Sequence, residues 1–142
     1  MASYDAQLNN GSNRSVRQYV DLDLFFGKKT SDRDVSEVTD IQAVKRSIRN
    51  LVLLNTYEKP FHPEIASGVR DMLFELMSPV TGAILSRQVE SVIENFEPRA
   101  RLTRVSAIPN YDNNSYSISI EFYVVNTPTE LVELTIFLER LR

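Results

Sequence analysis

The chain has no cysteine and no tryptophan, a single histidine and only four glycines. Without cysteine there is no disulfide, no thiolate nucleophile and no cysteine zinc site, which suits a reducing cytoplasm. Four glycines leave little material for a phosphate-cradling loop, and neither a G-x-S-x-G elbow nor an H-E-x-x-H pair occurs. The lone His62 sits between Phe61 and Pro63 with no nucleophile or ligand spacing nearby. A cap or surface group is expected there rather than a catalyst. No stretch approaches the length of a bilayer span, and the first residues lack the apolar core of a signal segment. No membrane partner is therefore expected. Without convergent ligands, no metal or other cofactor is expected either. The formal charge of −3 comes from interspersed signs rather than a basic stripe, so nucleic acid is not an expected partner. Lys45, Arg46 and Arg49 group on one predicted helix and read as a solvated face.

What is present is a change of period along a chain long enough for one domain. Residues 1–18 are rich in Asn, Ser and Gln; they read as a polar N-terminal arm that needs a neighbouring chain to hold it. Residues 19–142 read as a single domain. From Tyr19 to Phe26, Val20, Leu22, Leu24 and Phe26 alternate with Asp21 and Asp23, predicting a half-buried strand or extended segment. After a polar loop, Thr39 and Gln42 fit a capping box. Ile41, Val44, Ile48, Leu51 and Val52 then form a helical stripe that stops near Asn55. A second helix carries Val69, Met72, Leu73 and Leu76, with Ser67 a possible cap. Ser78-Pro79 opens a third, which runs to Phe96 on the spacing of Leu85, Val89, Val92, Ile93 and Phe96. Beyond it the period is two: strands over 102–108, 116–124 and 131–141, separated by turns at 109–114 and 126–129. The expected fold is α+β, an N-terminal extended segment and three helices packed on a C-terminal three-stranded antiparallel meander.

Two places carry candidate function. The first is the corner Glu97-Pro98-Arg99, where proline must end the third helix. A glutamate at a helix C-terminus opposes the macrodipole by about 0.3–1 kcal/mol, which marks it for use elsewhere. Equally, Arg99 could serve the last helical carbonyls and Glu97 could be a solvated charge. The second is the last strand, apolar on both faces: Val132, Leu134, Ile136 and Leu138 on one, Leu131 and Phe137 on the other, interleaved with Glu133 and Thr135. As a free edge it needs cover; alternatively Leu131 and Phe137 pack on the helices. Catalysis by paired carboxylates would have to use Asp21 with Asp23, or Glu94 with Glu97. Among nineteen acidic residues such pairs arise by chance.

Three blocks, Lys59-Pro60-Phe61-His62-Pro63-Glu64-Ile65, Leu73-Phe74-Glu75-Leu76-Met77-Ser78-Pro79 and Ile93-Glu94-Asn95-Phe96-Glu97-Pro98-Arg99, resemble the gene-25-like sheath initiators. This is a tailed-phage baseplate wedge family similar to a type VI secretion baseplate component. The likeness covers residues 19–142, with His62 standing where an acidic residue is expected. It implies a virion structural protein rather than an enzyme, made in the bacterial host cytoplasm and placed in a contractile-tail baseplate at six copies. It implies docking on the core bundle of other wedge proteins through Glu97, Pro98 and Arg99. It also implies that the first ring of sheath protein joins by strand addition, for which Leu131, Glu133, Thr135 and Phe137 are the expected surface. The alternatives are a type VI or phage-derived injection particle and, in another class, a lysozyme-like peptidoglycan glycosidase. Under the docking role, Arg99→Ala is expected to leave the domain folded.

Overall fold

The computed structural model describes residues 19–29 and 34–139; the arm over 1–18 and the end of the last predicted strand lie outside them. The elements in chain order are β1 (Val20–Leu22), β2 (Glu37–Thr39), α1 (Asp40–Leu53), α2 (Val69–Met72), α3 (Pro79–Phe96), β3 (Ala100–Asn110), β4 (Ser115–Val124) and β5 (Thr127–Glu139). β3, β4 and β5 form an antiparallel meander in the order β3-β4-β5, and the helices pack on one face of it. The fold is α+β, as the change of period predicts.

The core lies between that sheet face and the helices. Tyr116, Ile118, Ile120, Phe122 and Val124 of β4 are wholly or almost wholly buried, against Val44, Ile48 and Val52 of α1 and Leu85, Val89 and Ile93 of α3. The alternation in β4 and the i, i+4, i+8 spacing in α3 place these side chains on single faces. The start of α3 follows its sequence signal: Ser78 Oγ accepts from Thr81 N at 3.1 Å and Pro79 occupies the first turn. Pro109 falls inside β3, where an edge strand tolerates the missing donor.

Three local expectations are corrected. Thr39 stands at the start of α1, but its side chain makes no capping bond. It belongs to β2, paired with Val20, and the pleat fixes its direction. The helix start is instead tied to Tyr19, whose N–H donates to Asp40 Oδ1 (3.0 Å) while Asp40 N–H donates to Tyr19 O (2.8 Å). The second helix is a single turn that ends at Met72, leaving Leu76 exposed. Gly68 at φ 62° starts that turn. Ser67 Oγ donates to Val52 O at 2.7 Å and accepts from Val69 N at 3.2 Å, so it serves the open end of α1 as well. β5 begins at Thr127 because Val124 pairs with Thr127 across a tighter turn than expected.

α3 lies against β3 through a glycine. A Cβ on Gly82 would stand 2.7 Å from the Ala107 carbonyl oxygen, closer than carbon and oxygen can approach. Gly→Ala inside a helix ordinarily stabilises by about 1 kcal/mol. Here Gly82→Ala must push α3 off the sheet. We expect a net loss of about 1–3 kcal/mol in urea unfolding, the range of overpacked cores; a gain in stability would show that the contact yields freely.

Candidate functional site

Pro98 ends α3 at Phe96, and Glu97 takes the C-cap position with φ −126° and ψ 76°. That geometry turns its carboxylate inward, and Glu97 is only 3% exposed. Arg99, two residues on, folds back over it: Nε reaches Oε1 at 2.7 Å and Nη2 reaches Oε2 at 2.9 Å. The remaining Nη1 donates to both oxygens of Asp21, at 2.8 and 3.1 Å. The Tyr19 ring lies under the guanidinium, 5.6 Å from Cζ to centroid. One arginine therefore joins the end of α3 to β1, 78 residues earlier in sequence.

Neither local alternative for the corner describes it. Arg99 serves carboxylates rather than helix carbonyls, and Glu97 is no solvated charge. Burial alone would push the Glu97 carboxyl up, but hydrogen bonds from Arg99 and Ser47 and the guanidinium charge hold it below its ordinary 4.5. The Glu97 and Asp21 hydrogen bonds in turn raise the pKa of Arg99.

A second arginine repeats the device. Arg46 of α1 is ion-paired with Asp23 and lies over the Phe25 ring, 5.1 Å from Cζ to centroid. The Phe25 backbone N–H, Arg46 and Ser36 together hold the Asp23 carboxyl below its usual range. Arg46 is thus a fastener for the β1–β2 ribbon, not merely a solvated charge. The expected facing of residues 19–26 is reversed. Asp21 and Asp23 turn toward the arginines, whereas Val20, Leu22, Leu24 and Phe26 are 50–75% exposed. Exposure alternates as far as Leu24, with an ionic inward face, but β1 ends at Leu22, and Phe25, on the acids' side of the expected pattern, is 83% exposed in the turn that follows.

The last strand is present, though it starts four residues before the expected Leu131. β5 runs 13 residues and pairs only with β4, leaving its other edge free among the described residues. Val132, Ile136 and Leu138 are buried, while Leu131 (48%) and Phe137 (72%) are exposed. They do not pack on the helices. On this outer face Ser117 separates Ile108 from Phe137, and the next rows include Arg104–Glu121–Glu133. Glu121 and Glu133 are directly opposed across the β4–β5 pair, an unfavourable placement worth about 0.2–1 kcal/mol. No group of three or more acidic or histidine side chains that could hold a metal occurs among the described residues. His62 faces solvent and is hydrogen-bonded to Glu64 at 3.0 Å.

Residues 38–129 match the family described as baseplate wedge protein gp25. A curated relative, the baseplate wedge protein gp25 of Enterobacteria phage T4, is 31% identical over 116 residues, spanning 82% of this chain and 87% of its own length. The chain belongs to the gp25 baseplate wedge family. Two solved structures share its fold. One is a Geobacter sulfurreducens protein described as a candidate tail lysozyme, at TM-score 0.64 and 24% identity over 70% of this chain and 90% of its own. The other is a chain of the anti-feeding prophage baseplate, at TM-score 0.61 and 19% identity over 88% of each chain. Of the residues expected to act in gp25-like docking, Glu97 and Arg99 are joined to each other and Pro98 is exposed. Leu131, Glu133, Thr135 and Phe137 share the open face of β5. The arginine partners Asp21 and Asp23 were legible only as alternating acids. Their basic counterparts lie 78 and 23 residues away.

Arg99 thus has a structural duty that its expected docking role left out. Arg99→Ala strands a buried carboxylate and should cost about 3 kcal/mol at neutral pH, read by thermal or urea unfolding. Glu97→Gln supplies a pH test. Because its carboxyl is held below 4.5 in the folded state, Glu97 stabilises above that value and loses its contribution as pH falls through the depressed one. The Gln variant should be less stable at pH 7 by about 2 kcal/mol and show a shallower loss in acid. Parallel pH profiles would remove Glu97 from the acid response.

Proposed function

We propose that the chain is a structural, non-catalytic component of a contractile-tail baseplate wedge. It docks on other wedge proteins and starts the sheath by lending the free edge of β5 to the first ring of sheath subunits. Membership of the gp25 family supports the baseplate placement, and six copies per baseplate follow from a wedge role. The observation that carries sheath initiation is β5 itself. A 13-residue edge strand with Leu131 and Phe137 exposed is what a stable domain ordinarily covers or breaks. An incoming strand would satisfy its outward backbone groups and bury those side chains together.

For wedge docking, the pinned corner presents exposed Pro98 and the flank of Arg99. The ribbon adds its outward row of Val20, Leu22 and Leu24. Apolar side chains exposed in a contiguous row mark protein contacts more often than solvent-facing surface.

A glycosidase is disfavoured by the state of the carboxylates. A general acid needs a raised pKa, whereas Asp23 is held low by the Phe25 backbone N–H and Arg46, and Glu97, against its burial, by Arg99 and Ser47. Asp21 is clamped by Arg99, and Glu94, near Glu97 in sequence, is exposed.

The paired substitution Leu131→Lys with Phe137→Lys changes only exposed positions. The purified chain should keep its thermal midpoint within about 3 °C, yet baseplates carrying it should grow no sheath in electron micrographs. Normal sheath on such baseplates would overturn strand addition at β5. Incubation of the purified chain with peptidoglycan should release no soluble fragments; release abolished by Glu94→Gln would replace the structural role with a glycosidase.

A further inference from the structure

Resting on the strand-addition role proposed above, we infer that the strand β5 accepts is selected by charge. It is an extended segment of another protein chain carrying Lys or Arg in register with Glu133. The row Arg104–Glu121–Glu133 runs across the outer face of the meander, each residue opposite the next. Its order is one cation followed by two anions, and the second anion stands at the open edge. Glu121 has Arg104 on one side; Glu133 has only Glu121 beside it and makes no salt bridge among the described residues. A basic residue on a strand added to β5 completes the row as cation, anion, anion, cation, and turns an unfavourable pair into a balanced one.

The neighbouring rows fix the rest of the pattern. Two residues to one side of that basic position the added strand meets exposed Leu131, and four residues to the other side it meets exposed Phe137. An apolar–x–basic–x–x–x–apolar segment, read in either direction, therefore fits the edge. A strand one residue out of register sets its basic side chain on the opposite face. Glu133 thus acts on register as well as on partner choice.

A charge on an edge strand also guards against self-association, and a lysine serves that purpose as well as a glutamate. Glu133→Lys separates the two roles. In the full-length chain it removes the opposed carboxylates, so its thermal midpoint should rise. Reconstituted baseplates carrying it should recruit purified sheath subunits about tenfold more weakly, and Glu133→Gln should fall between and flatten the dependence on salt. Recruitment equal to the wild type in Glu133→Lys, with loss in the Leu131→Lys, Phe137→Lys chain, would overturn charge selection and leave strand addition standing. Undiminished recruitment by both would overturn strand addition itself.

Discussion

The guanidinium of Arg99 is the constraint on which the rest of the arrangement depends. It closes a fork on Glu97, shares its remaining Nη1 between both oxygens of Asp21, and lays a face on Tyr19. These groups belong to the end of α3 and to the start of the described chain, which no apolar contact alone would hold in one orientation. Ionic bonds with fixed fork geometry specify direction as well as proximity. The corner thereby becomes a rigid joint between the helical layer, the sheet that begins at Ala100, and the ribbon of β1 and β2.

An ionic joint changes what the neighbouring apolar residues can do. Because Asp21 and Asp23 occupy the inward face of the ribbon, the alternating apolar row is turned to solvent. Had the ribbon been held by hydrophobic burial, Val20, Leu22 and Leu24 would have been consumed in holding it. Electrostatic attachment leaves them free. The same division appears in the meander, where one face carries the whole core through β4 and the other keeps Leu131, Ile108 and Phe137 exposed. A domain stabilised on one face only retains apolar area for association.

Much of this was legible in the sequence. The change of period after Pro98, the Ser78-Pro79 helix start and the two faces of β5 come from local rules of spacing and capping, and those rules hold when neighbouring residues decide the outcome. What was not legible depended on distant partners. The alternation over 19–26 gave the faces but not their direction, since the arginines that reverse it lie on α1 and beyond α3. The Thr39–Gln42 spacing suggested a capping box, but β-pairing with Val20 claimed the threonine first. The apolar spacing extends the second helix to Leu76, four residues past its end at Met72, and Leu76 is exposed. In the first two a tertiary contact overrode a local preference.

The candidate sites divide along the same line. The charge of Glu97 opposes the helix dipole, but the resolution of that mismatch is internal: Arg99 neutralises it within the chain. The mismatch at Glu133 has no such resolution among the described residues, because the nearest residue across the ladder is another glutamate. Two unfavourable charges in one small fold thus have opposite meanings. One is balanced by folding and fixes a shape; the other is left unbalanced by folding and is available to association. Fold likeness cannot draw this distinction, since the same architecture occurs in chains described as a tail lysozyme candidate and as part of a baseplate. It is drawn by asking, for each buried or opposed charge, whether its counter-charge is already in the chain.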